Sequence, residues 1–88
     1  MEIFEVRNVE ERLDIMSKCE IEAHKAKELL DSHAKDKYLA FACNDLLNGF
    51  VFINESGDIT YMTTLPFAKT LGLDEQMREY VQKNYKNK

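Results

Sequence analysis

Pro66, Lys69, Gly72 and Asp74 stand between a β-prone run and an amphipathic one, at a spacing that suits a strand-to-helix turn. Such a turn gathers backbone N–H groups around an anion, because the first N–H groups of a helix lack intrahelical partners and the helix dipole is positive there. A glycine lets the backbone approach the ligand closely, and a nearby lysine adds a point charge. Lys69, Leu71, Gly72, Leu73 and Asp74 are therefore the candidate anion-binding residues. Asp74 works against that chemistry, since a carboxylate at the helix entry supplies its own negative charge and can cap the helix.

The other reactive side chains carry weaker patterns. His24 and His33 are nine residues apart, not the four that place two ligands on one helix face, so no metal site is expected. His33 reads as a cation at a helix C-terminus or as a polar surface group. Cys19 and Cys43 form no CxxC pair and have no neighbouring histidine, so both are expected as reduced, inert thiols, Cys19 the more exposed. Ile59–Leu65 holds no Glu, Asp or His that could act as a base, and no catalytic residue is assigned. Phe41, Phe50, Phe52 and Tyr61 lie in strand-like runs without interleaved Lys or Arg, which favours core packing over base stacking.

Composition bounds the function further. The 88 residues suit one small domain, 1–88, with a single core. With 12 Lys+Arg against 16 Asp+Glu the net charge is −4, which offers no general attraction to nucleic acid or to an anionic membrane. No apolar run reaches the length of a membrane span, and Met1–Arg7 alternates charge with hydrophobe, so a cytoplasmic location is expected. Glu2, Glu5, Glu10, Glu11, Asp14, Glu20, Glu22 and Glu28 read as a solvated acidic surface able to meet a basic protein.

The elements that position these residues follow from periodicity. Ile3, Phe4 and Val6 form a short strand ending near Arg7, and Asn8 with Glu11 makes a capping-box pattern. Leu13, Met16, Cys19, Ala23, Ala26 and Leu30 then recur at helical spacing, as one helix or as two broken within Ser17–Glu20. Lys37–Cys43 is nearly all apolar on both parities, the mark of a central strand covered on both faces. Asn44–Asn48 reads as a connector, Gly49–Asn54 and Ile59–Leu65 as further strands around the turn Glu55–Asp58, and Leu73 to about Asn84 as a helix with Lys83, Lys86 and Lys88 at its negative end. The order β-α(-α)-β-β-β-α gives an α+β fold, an antiparallel sheet covered by helices.

That order, with Pro66, Lys69, Gly72 and Asp74 at the places of a Pro-x-x-Arg/Gln-x-x-Gly-x-Gly/Ala pattern, resembles the N-terminal half of the GCN5-related N-acetyltransferase family. Tyr38–Cys43 and Gly49–Ile53 are similar to that family's second and third strands. The resemblance implies an acyl-CoA pyrophosphate site at the turn, with acetyl-CoA as cofactor. It also implies a cleft between a fourth and a fifth strand, and this chain ends before a fifth. The missing half, the absent base and Asp74 together point to a small acidic protein-interaction module without catalysis or cofactor, an inhibitor of a partner enzyme being one version. An open edge on the last strand would pair with a second copy or with a partner strand, giving a homodimer or a protein complex. The alternative is a minimal acyl-CoA-dependent N-acyltransferase whose cleft is completed by dimerisation.

Overall fold

Asn8 opens the first helix as its spacing predicts, its side-chain oxygen accepting the Glu11 N–H at 3.1 Å. In the computed structural model, which describes residues 1–86, this helix α1 (Val9–Lys18) follows strand β1 (Glu2–Glu5). The chain breaks inside the polar stretch: Cys19 turns its N–H back onto the last carbonyls of α1, and Glu20 takes a left-handed φ of 65°. Helix α2 (Ala23–Ser32) starts afresh, with the Glu22 carboxylate accepting the Lys25 N–H. The break rephases the apolar stripe. Ala26 and Leu29 are buried, whereas Ala23, which a continuous helix would turn inward, is exposed.

Strands β2 (Lys37–Cys43), β3 (Leu46–Ile53) and β4 (Ile59–Thr64) pair with β1 in the order β1-β2-β3-β4, antiparallel throughout. Residues Asn44–Asn48, read as a connector, are mostly strand: only Asn44 and Asp45 turn, both at positive φ, and β3 begins at Leu46. Asn and Asp tolerate that conformation, which suits a two-residue hairpin. Both interior strands are covered on two faces. Tyr38, Ala40, Phe50 and Phe52 pack under α1 and α2 with Val6, Met16 and Cys19, while Leu39, Phe41, Val51 and Ile53 pack under the C-terminal helices. Phe41, Phe50 and Phe52 are fully buried, so these aromatics are core, each contributing about 2–3 kcal/mol of burial.

Two differences from the sequence reading concern the C-terminal half, and a third the cysteines. Pro66–Thr70 forms a short extra helix, α3, before α4 (Leu73–Val81), which continues as a π-helical turn over Gln82–Lys86. Gly72 is the N-cap of α4 at φ 73°, and no side chain caps this helix, so Asp74 sits in the first turn beside Glu75 and is not its cap. The cysteines are reversed: Cys19 is buried and Cys43 partly exposed, because Cys19 ends α1 on the same buried stripe as Ile15 and Met16. Lys88, expected at the helix end, lies outside the described residues.

Candidate functional site

β4 lies at the edge of the sheet, paired on one side to β3. The Leu65 N–H donates to the Asn48 carbonyl at 2.7 Å. In an antiparallel ladder the backbone groups alternate between neighbours, so Thr63 and Tyr61 face β3 and Met62 and Thr64 direct their N–H and C=O groups outward. No residue from Ile59 to Leu65 is charged. Just past the strand, Phe67 on α3 and Leu71 at its C-cap are four residues apart and 45% and 66% exposed. Gly49 holds the edge strand close: a Cβ at this position would overlap the Thr63 carbonyl oxygen of β4.

The expected anion turn lies immediately beyond. Of the five candidate residues, Lys69, Leu71 and Gly72 spend their N–H groups on the carbonyls of Leu65, Ala68 and Lys69. Leu73 and Asp74 open α4, where Asp74 and Glu75 add two carboxylates to the first turn. The Leu73 side chain is buried in the core. The Gly72 backbone has open space around it, so its requirement for glycine comes from the positive φ and not from crowding.

Beside the same corner two buried polar side chains lack partners. Asn48 is the extra residue of a β-bulge, since Gly49 pairs with Phe41 and Leu47 with Ala42. It is fully buried, and neither its amide nitrogen nor its oxygen is bonded. Thr64, which pairs with Gly49 across the ladder, has an equally unpartnered hydroxyl at 8% exposure. Sequence reasoning missed both residues, as a polar residue inside an apolar run gives no hint of the bulge that buries it.

The opposite end of the sheet holds a polar cluster whose groups are satisfied. Asp36 Oδ2 lies 2.9 Å from His33 Nδ1 and accepts the Thr60 hydroxyl at 2.6 Å. Burial raises the Asp36 carboxyl, but the hydrogen bonds from Thr60 and His33 outweigh it and hold the group below the usual carboxylate range. His33 closes α2 and stacks on Phe52 at 4.6 Å. Thr60 and Asp36 both meet the same ring nitrogen, so the histidine does not relay between a nucleophile and a carboxylate, and the cluster works as a clamp from α2 to β4. Here sequence reasoning missed a grouping of residues 24 and 27 positions apart.

A cleft of about 340 Å³ next to the clamp collects Lys35, Lys37 and Lys86 around the β3–β4 turn and Tyr85. Two of the three lysines are engaged: Lys86 pairs with Asp58, and Lys37 lies over the Tyr85 ring at 5.5 Å. The turn's N–H groups at Ser56 and Asp58 both bond the Asn54 side chain. Burial pushes the Cys19 thiol up to about 11, which leaves it a poor nucleophile. Among the described residues no His, Cys, Asp and Glu cluster could hold a metal, and no helix is long and apolar enough to cross a membrane. No family model matches the chain, and neither a curated protein nor a solved structure matches it.

Proposed function

We propose that this chain is a small acidic protein-interaction module that takes an added strand on its β4 edge and catalyses no reaction. The observation that carries this reading is the uncharged edge of Ile59–Leu65, with the Met62 and Thr64 backbone groups turned outward beside exposed Phe67 and Leu71. A strand laid along it gains main-chain hydrogen bonds, and the neighbouring apolar side chains add burial. Glu10, Glu11, Asp14, Glu20, Glu22 and Glu28 are all exposed around α1 and α2, which favours partners with basic surfaces. Obstruction of a basic groove in a partner enzyme is one form of this activity.

The test is quantitative affinity capture from the native cell with the wild-type chain and a Thr63→Lys variant, which puts a charge on the edge. The reading predicts a partner retained by the wild type and reduced at least tenfold by the variant. Equal capture by both chains refutes it.

The acyltransferase alternative draws support from the element order and from helices on both faces of the sheet. Asp74 and Glu75 weigh against it, because they place like charge where a pyrophosphate would bind. Calorimetric titration with acetyl-CoA decides. No heat at millimolar ligand removes this alternative, whereas tight binding abolished by Gly72→Trp would overturn the interaction reading.

A further inference from the structure

We infer that the strand added to β4 belongs to a second copy of this chain, so that two four-stranded sheets join across a twofold axis at Thr63. The inference rests on the strand-addition reading and names the occupant. Within β4, Met62 and Thr64 direct both backbone groups outward, and they are two residues apart. An antiparallel twofold centred on Thr63 sets Met62 of each copy opposite Thr64 of the other. Each of these two pairs exchanges two hydrogen bonds, which uses all the outward groups of both residues.

The side chains agree with that register. Thr63 meets Thr63 of the second copy as the close, non-hydrogen-bonded pair, a favourable cross-strand combination. Tyr61 and Leu65, both half-buried in one chain, fall opposite each other and are covered further. No charge lies anywhere from Ile59 to Leu65, so self-pairing opposes no like charges. The His33–Asp36–Thr60 clamp keeps its own contacts, because Thr60 lies outside the four-bond core of the pairing.

A residue on a twofold axis faces itself, and this gives a sharp test. Sedimentation velocity on the wild-type chain should show a dimer at tens of micromolar. Thr63→Lys and Thr63→Glu, each alone, should weaken dimerisation at least tenfold by opposing like charges. An equimolar mixture of the two variants should restore it. Hydrogen exchange on the wild type should show concentration-dependent protection of the Met62 and Thr64 amides, a readout that needs no variant to fold.

A wild-type chain that stays monomeric at high concentration, or a dimer indifferent to both charges and to their mixture, overturns the inference. The strand-addition reading survives a monomeric result if Thr63→Lys still abolishes capture of another protein, and it falls only if that capture is unaffected.

Discussion

The two edges of this sheet are built from the same backbone and protected in opposite ways. β1 is four residues long, carries Glu2 and Glu5, and has Arg7 paired with Glu5 at 3.0 Å just beyond it. β4 is six residues long and carries no charge. Charges and shortness are how natural sheets prevent edge pairing. Their presence on one edge and absence from the other leave β4 the less protected of the two. The difference extends beneath the strands, since Asn48 and Thr64, the unpartnered buried polar side chains, both lie at the end of the β3–β4 ladder.

The strongest way to break the contrast is to detach β4. In Gly49→Ala the new methyl meets the Thr63 carbonyl, and neither backbone can yield without loss of the ladder between them. Overpacking of this kind is expected to cost about 3 kcal/mol, a fall in Tm of roughly 10–25 °C for a domain of this size. Thermal unfolding followed by circular dichroism checks it. A Tm within two or three degrees (~3 °C) of the wild type would mean that β4 is held less tightly than the ladder implies.

Thr64→Val sharpens the contrast from the other side. It keeps shape and β-branching while removing a buried hydroxyl that has no partner. Stability should rise by about 1 kcal/mol, read as a shifted urea midpoint with unchanged slope. A loss of similar size would show that the hydroxyl is bonded in solution.

How far the sequence reveals these features depends on whether a signal is local. β2 is legible because six successive residues, Tyr38–Cys43, can be apolar only where both faces are covered, and the Asn8 cap because its partner is three residues away. The helix break is legible in position but not in consequence: an unbroken stripe points Ala23 inward, and only the left-handed Glu20 rotates α2 to bury Leu29. α3 escapes because a five-residue helix with Phe67 and its C-cap Leu71 outward has no amphipathic pattern to read. The open edge of β4 is visible in its lack of charge, whereas the direction of the Met62 and Thr64 backbone groups needs the ladder. The turn at Gly72 is correctly located as a helix entry, and the N–H groups spent within it are a tertiary fact.

Acid tests how the far end of β4 is fastened. The Asp36 carboxyl is held below its usual range in the folded chain, so its contribution is present above the unfolded value of about 4 and is lost as pH falls through the lower folded value. Asp36→Asn should therefore cost about 1 kcal/mol at neutral pH and flatten the stability profile below pH ~4. Urea midpoints across pH 2–7 (roughly the carboxylate range) measure both effects. An unchanged acid limb in the variant would assign the acid sensitivity to other carboxylates.

The smallest effect is expected from removing the protection of β1. The double variant Glu2→Thr, Glu5→Thr leaves Ile3 packed against the core and gives up only the surface pair of Glu5 with Arg7, so its denaturation midpoint should stay close to that of the wild type. What should change is association: with Glu2 and Glu5 gone, Phe4, already 44% exposed, lies on a second uncharged edge. Four residues offer few main-chain hydrogen bonds, so the new association should be weak, appearing as a rise in light scattering at high concentration. Thr63→Lys, which acts on β4, should leave that rise intact. If the double variant scatters like the wild type, the length of β1 protects it and its charges do not, and the open character of β4 must then be credited to its six residues more than to its lack of charge.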